Sequence, residues 1–175
     1  MAESELWLFG YGSLIWRPDF PYSQKRVASI EGWGRRFWQG SHDHRGVPEA
    51  PGRVVTLVPS VGELCVGMAF HIDHQYRAAV FDQLDYREKN GYERLQIDCK
   101  LDNREVISCV TYIASQTNEA YLGEASLADI ALQINSSHGP SGANRDYLLE
   151  LAAALRELHI EDEHVMALEE LVLGL

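Results

Sequence analysis

The chain has 175 residues and a formal net charge of −11, from 15 Lys+Arg against 26 Asp+Glu. Hydrophobic residues make up 46% and charged residues 23%, globular values that exclude whole-chain disorder and suit one domain over residues 1–175. So acidic a chain lacks the cations that phosphate contacts need, so neither nucleic acid nor an anionic membrane surface is expected as a partner. A few local amides or one Arg would still hold a small carboxylate.

No apolar run approaches the roughly 20 residues of a membrane span. Glu3 and Glu5 stand where a signal peptide would carry basic residues, so a cytoplasmic location is expected. Residues 6–9 read as a buried strand that meets the turn Gly10-Tyr11-Gly12-Ser13. Prolines 18, 21, 48, 51 and 59 cut the next stretch into short pieces. Strands are expected at 32–39, 53–57 and 64–72, with a turn at Val61-Gly62. Residues 74–87 have helical spacing: Tyr76, Val80 and Leu84 fall four apart, with Asp73 as cap and Gly91 as stop. Strands return at 95–101 and 106–114 around the turn Asp102-Asn103. Residues 126–135 read as a helix capped by Ser126, and the pattern stays helical from Asn144. Tyr147, Leu148, Leu151, Leu155 and Leu158 form one stripe, and Leu168, Leu171 and Val172 another. Glu161-Asp162-Glu163 reads as a solvated helix start. The order predicts an α+β fold with a curved, antiparallel or mixed sheet.

Three groups stand out chemically. Gly10 and Gly12 let main chain approach a ligand and turn its N–H groups into one concavity, which suits a carboxylate. The run is neither a phosphate loop nor a dinucleotide or nucleophile-elbow motif; a plain β-turn is the other reading. Glu88 is the next step of four after Leu84, so the apolar face of that helix ends in a carboxylate. Turned toward an apolar cavity, its charged form is disfavoured and its pKa rises, as a general base or acid requires. A frayed helix end, or an ion pair with Arg87, is the alternative. The run from Gly139 to Tyr147 places Asn144 near a helix start, where it meets either a ligand or only a cap. His42, Asp43 and His44 lack the further ligands a zinc site needs and read as a solvated loop. The tryptophans at 7, 16, 33 and 38 read as core around the early strands, or one of them as a pocket wall. Cys65, Cys99 and Cys109 are odd in number, lack CxxC spacing, and read as buried reduced thiols.

Taken in order, FGYGSLIW, GWGRRFWQGSHDHRG, PGRVVTL, LDYREKNGY and GPSGANRDYLLEL resemble the ChaC family of glutathione-specific γ-glutamylcyclotransferases, from about Trp7 to at least Leu151. The resemblance implies a mixed α/β fold around a small barrel-like sheet. It implies cleavage of glutathione to 5-oxoproline and cysteinylglycine, with no metal or organic cofactor. It carries γ-glutamyl binding to Tyr11, Gly12, Ser13 and Leu14, and catalysis to Glu88; the backbone N–H groups from Gly10 to Ile15 are expected to anchor the α-carboxylate or the developing oxyanion. Tyr92 and Tyr147 lie in matching motifs and join the expected substrate contacts. Arg53 and Asn144 are candidates for the Cys-Gly end. Two departures stand out: Asn90 replaces a Gly after the glutamate, and Ala143 stands where the family often has a basic residue. A broader γ-glutamyl specificity, or a binding module without activity, stays open at this stage.

Overall fold

The computed structural model describes residues 5–88 and 91–175. Glu3 and Asn90, both used in the sequence reading, lie outside the described residues. The chain packs as two compact units, Met1–Gly34 with Pro59–Ala114, and Arg35–Val58 with Ser115–Leu175.

The first unit is built on a closed barrel of strand order β1-β3-β2-β4-β5. The strands are β1 (Leu6–Gly10), β2 (Gln24–Ser41), β3 (Gly52–Ile72), β4 (Glu93–Leu101) and β5 (Val106–Ile113); β2 and β3 each begin in one unit and end in the other. All five residues of β1 are buried, as expected of a strand covered on both faces. It runs antiparallel to β3 and parallel to β5, so the sheet is mixed. The strands expected at 53–57 and 64–72 are one element. Extended structure continues on either side of Gly62, which alone absorbs the expected turn with φ 81°. Prolines and glycines marked local bends here, not strand ends. Cys65, Cys99 and Cys109 form no disulfide and are buried. A hydrogen bond to Cys109, then burial, pushes the Cys99 thiol up, so it stays protonated and unreactive. Of the tryptophans only Trp7 is fully buried; Trp16, Trp33 and Trp38 are half-buried.

A 3₁₀ turn, His74–Tyr76, leads into α1 (Arg77–Arg87). Asp73 precedes it without a side-chain cap bond. Val80 and Leu84 are buried, whereas Tyr76 is 41% exposed.

The second unit holds α2 (Leu127–Ser136), α3 (Asn144–Glu157) and α4 (Glu163–Leu173). Ser126 caps α2 by accepting from the Asp129 N–H at 3.1 Å, a bond worth about 1 kcal/mol. Ile130 and Ile134 of α2, Leu148, Leu151 and Leu155 of α3, and Val165, Leu168 and Val172 of α4 are all fully buried. Each contributes roughly 1.5–3 kcal/mol of hydrophobic stabilisation. Leu171, expected in the α4 stripe, is 40% exposed. Asp162 is more than a solvated helix start. It accepts from the Val165 N–H at 3.0 Å and pairs at 2.7 Å with Arg35, which is 1% exposed. A buried guanidinium needs such a carboxylate.

Candidate active site

The barrel register decides what meets at one end of the first unit. Leu6 pairs with Ile72 and Gly10 with Met68, so β3 finishes beside the start of β1. The chain must then return, and α1 does so. Its 11 residues span about 16 Å, close to the roughly 16 Å of a five-residue strand. The last turn of α1 is thereby brought level with the loop that follows Gly10. Leu8 faces Val110 in the parallel pair, which carries the end of β5, with Tyr112, to the same place.

The 10–15 loop is held by what its glycines allow. A Cβ on Gly10 would lie 2.8 Å from the Leu14 Cβ, and one on Gly67 would lie 2.3 Å from the Gly10 carbonyl oxygen. Beyond Gly12 the chain closes a 3₁₀ turn, Ser13–Ile15, with the Ile15 N–H donating to Gly12 O at 3.0 Å. Gly10, Tyr11 and Gly12 are buried; Ser13, Leu14 and Ile15 are half-buried. The Tyr11 hydroxyl donates to the Tyr112 carbonyl at 2.5 Å, and Thr111 Oγ1 donates to the Phe9 carbonyl at 2.9 Å. Main chain therefore fixes the loop's entry. The Ser13 hydroxyl accepts from Arg87 Nη2 at 2.6 Å, and Arg87 Nη1 donates to the Arg17 carbonyl at 3.0 Å. A guanidinium cannot take the hydroxyl proton, so this contact does not activate Ser13 as a nucleophile.

Glu88 follows Arg87 at the end of α1. Its N–H donates to the Leu84 carbonyl at 2.9 Å, so the helical hydrogen bond persists to Glu88 and the helix has not frayed before it. Glu88 is half-buried. Three residues before Glu88, Asp85 Oδ1 accepts from the Tyr112 hydroxyl at 2.6 Å, and Asp85 Oδ2 pairs with Arg94 at 2.7 Å. The Arg94 guanidinium lies 4.5 Å above the Phe81 ring. Burial first, then the hydrogen bond to Asp85, pushes the Tyr112 phenol well up, so it stays protonated. The negative charge of Glu88 adds to that shift, so Glu88 sits within electrostatic reach of Tyr112. Tyr92 is half-buried just before β4.

Arg53, Asn144 and Tyr147 lie in the second unit, where their polar groups are engaged by that unit itself. Asn144 is 0% exposed; its Oδ1 accepts from the Arg53 N–H and its Nδ2 donates to the Arg53 carbonyl, both at 2.8 Å. The Arg53 guanidinium donates to Gln133 Oε1 at 2.7 Å and to the carbonyls of Phe37 at 2.9 Å and Gly123 at 3.1 Å. The Tyr147 hydroxyl accepts from the Val55 N–H at 3.4 Å, and its ring stacks edge-on with Phe37. These contacts tie β3 to α3, a structural duty that the PGRVVTL and GPSGANRDY motifs did not reveal. The His44 ring is bonded to Ser141 at 3.2 Å and lies 3.8 Å from Asp43. Among the described residues no group of three or more His, Cys, Asp or Glu is placed to hold a metal ion.

Sequence reasoning passed over Arg87, Asp85, Tyr112 and Gly67. Arg87 was visible only as a possible ion-pair partner of Glu88, and Tyr112 only as one aromatic residue in a strand.

Residues 6–174 match the ChaC-like protein family. Gamma-glutamylcyclotransferase 2-3 of Arabidopsis thaliana is 44% identical over 91% of this chain and 84% of its own length. Glutathione-specific gamma-glutamylcyclotransferase 1 of Danio rerio is 40% identical over 99% of this chain and 91% of its own. Among solved structures, a selenomethionine-labelled γ-glutamylcyclotransferase specific to glutathione from yeast superposes with a TM-score of 0.93 at 31% identity, covering 98% of this chain and 97% of that one. With the match running almost end to end in sequence and in fold, the chain belongs to the ChaC-like protein family.

Proposed function

We propose that this chain is a γ-glutamylcyclotransferase that cleaves glutathione to 5-oxoproline and cysteinylglycine, with the 10–15 loop holding the γ-glutamyl unit and Glu88 transferring the proton. The activity is supported by relatives named for it that align over nearly the whole chain. The site is supported by one observation above the others. The Arg87–Ser13 bond brings a glycine-bearing loop and the end of α1 together, and Glu88 is the next residue.

The chemistry suits these groups. The substrate carries its own nucleophile, an α-amine able to close a five-membered ring on the γ-carbonyl, so the enzyme needs no Ser or Cys nucleophile. Its first task is to fold the substrate for ring closure, an orientation effect worth several kcal/mol. Glu88 takes a proton from the α-ammonium, the amine attacks, and Glu88 then protonates the departing amine of Cys-Gly. General acid–base transfer of this kind contributes ~10²–10⁴-fold. Main-chain N–H groups of the loop anchor the α-carboxylate or the developing oxyanion, as amides at the start of a helical turn do. The same reading places the reaction in the cytoplasm, in keeping with three buried cysteines that form no disulfide. Among the described residues no helix is long and apolar enough to cross a membrane.

The test is Glu88→Gln, which keeps shape and loses basicity. Release of 5-oxoproline from glutathione should fall by at least ~10² while cooperative unfolding is retained. Near-normal release by the folded variant refutes the assignment. γ-Glu-Ala assayed alongside sets the substrate class: a kcat/KM equal to or above that for glutathione moves the chain to a broader γ-glutamyl specificity.

A further inference from the structure

We propose that Arg87 is a positioning residue for the reaction, its guanidinium holding the 10–15 loop at fixed reach from Glu88. The inference rests on the roles given above to Glu88 and the loop, and adds the element that couples them.

The guanidinium spans one turn. Nη2 donates to the Ser13 hydroxyl at 2.6 Å and Nη1 to the Arg17 carbonyl at 3.0 Å. Ser13 and Arg17 are the two ends of the segment that the Ser13 carbonyl closes, accepting from the Arg17 N–H at 2.8 Å. A planar fork with donors in fixed directions can hold both ends at once, and a lysine ammonium on a flexible stem cannot. The loop needs such a hold, because Gly10 and Gly12 leave it costly to order. Ordering it before substrate arrives removes that cost from binding and catalysis.

Helix α1, for its part, cannot drift. Asp85 ties the helix to Tyr112 of β5 and to Arg94 of β4, and Gln83 Nε2 donates to the Asp19 carbonyl at 2.5 Å. With the helix fixed, the Arg87 fork sets where the loop lies relative to Glu88, the next residue in the chain. Proton transfer from an α-ammonium held by the loop depends on that separation. A displacement near 1 Å can cost ~10² in rate, and the loss falls on kcat more than on KM.

The experiment uses the intact chain with Arg87→Met, Arg87→Lys, Ser13→Ala and the Arg87→Met/Ser13→Ala double variant, measured by 5-oxoproline release from glutathione and by thermal unfolding. Arg87→Met should lower kcat roughly 10–100-fold with a smaller change in KM, and Arg87→Lys should recover part of the loss. The effect of Arg87→Met should shrink in the Ser13→Ala background, since part of the coupling is already gone. A folded Arg87→Met with kcat within about twofold of the parent, a change confined to KM, or losses that simply multiply across the cycle would each overturn the proposal. Should Arg87→Met not fold, unchanged kcat in both Arg87→Lys and Ser13→Ala overturns it equally. Glu88→Gln separates the layers. An active Glu88→Gln removes the underlying reading, whereas an inactive Glu88→Gln beside a fully active Arg87→Met refutes the role of Arg87 alone.

Discussion

Asn144→Ala distinguishes a scaffold residue from a ligand contact. Asn144 is 0% exposed and satisfies both main-chain groups of Arg53 at 2.8 Å. Alanine removes both bonds and leaves a buried N–H and a buried C=O without these partners. An orphaned buried polar group costs about 1–3 kcal/mol, so two cost about 2–6 kcal/mol. For a chain of this size, where 1 kcal/mol moves Tm by about 2–4 °C, the midpoint should fall by roughly 5–20 °C. Asn144→Asp should lose at least as much, because its carboxylate is charged at a 0% exposed position and sets an acceptor oxygen against the Arg53 carbonyl. Well below the midpoint, kcat and KM for glutathione should stay within about twofold of the parent, since no transition-state contact has been removed. Thermal unfolding and steady-state 5-oxoproline release measure the two quantities. A KM raised about tenfold with an unmoved Tm would refute this reasoning and return Asn144 to the Cys-Gly end of the substrate.

Two further substitutions probe the framework of each unit. Gly67→Ala puts a methyl 2.3 Å from the Gly10 carbonyl oxygen and 3.0 Å from the Phe9 ring. Backbone must move, at a cost of about 1–3 kcal/mol, and kcat/KM should fall with Tm because the displaced atom begins the loop proposed to hold the γ-glutamyl unit; native Tm with full activity would contradict this. Asp162→Ala removes the Asp162 carboxylate from the Arg35 guanidinium, 1% exposed, and the side-chain cap from α4. Breaking a buried pair costs about 3–5 kcal/mol, so calorimetry should show a Tm lower by roughly 6–20 °C, whereas a loss under about 1 kcal/mol would mark the pair as weakly coupled to folding.

Much of the fold was legible because it is local. The four-residue spacing of Val80 and Leu84, the Ser126 cap and the α3 stripe from Tyr147 to Leu155 each declare themselves within a few turns of chain, and each is present, whereas Leu158 falls just past the helix and is half-buried. The extent of β3 was not legible. Gly62 with φ 81° looks in sequence like the end of a strand, and only pairing on either side makes the run one element. The elements of the proposed site were visible one at a time, as a glycine-bearing turn after β1 and a carboxylate ending an apolar helical face. What joins them was not, because it is long-range. Arg87 and Ser13 are 74 residues apart, and Tyr11 and Tyr112 are 101 apart. No periodicity spans such distances.

The same limit explains why Arg53 and Asn144 looked like ligand donors. A polar side chain at a helix start or beside a buried strand suits a ligand and buried main chain equally, because burial demands a partner in either case. Sequence shows the demand, and the structure shows what meets it. Asn144 is met at both polar ends by the Arg53 peptide, and the Arg53 guanidinium by Gln133 and two carbonyls. Arg87 presents the opposite case. Its charge sits at a helix end where a basic residue is ordinary, so nothing in the sequence marked it. Its two bonds reach a loop whose glycines leave it in need of ordering. Conspicuousness in a sequence therefore tracks burial, whereas a part in catalysis follows from which elements a side chain couples.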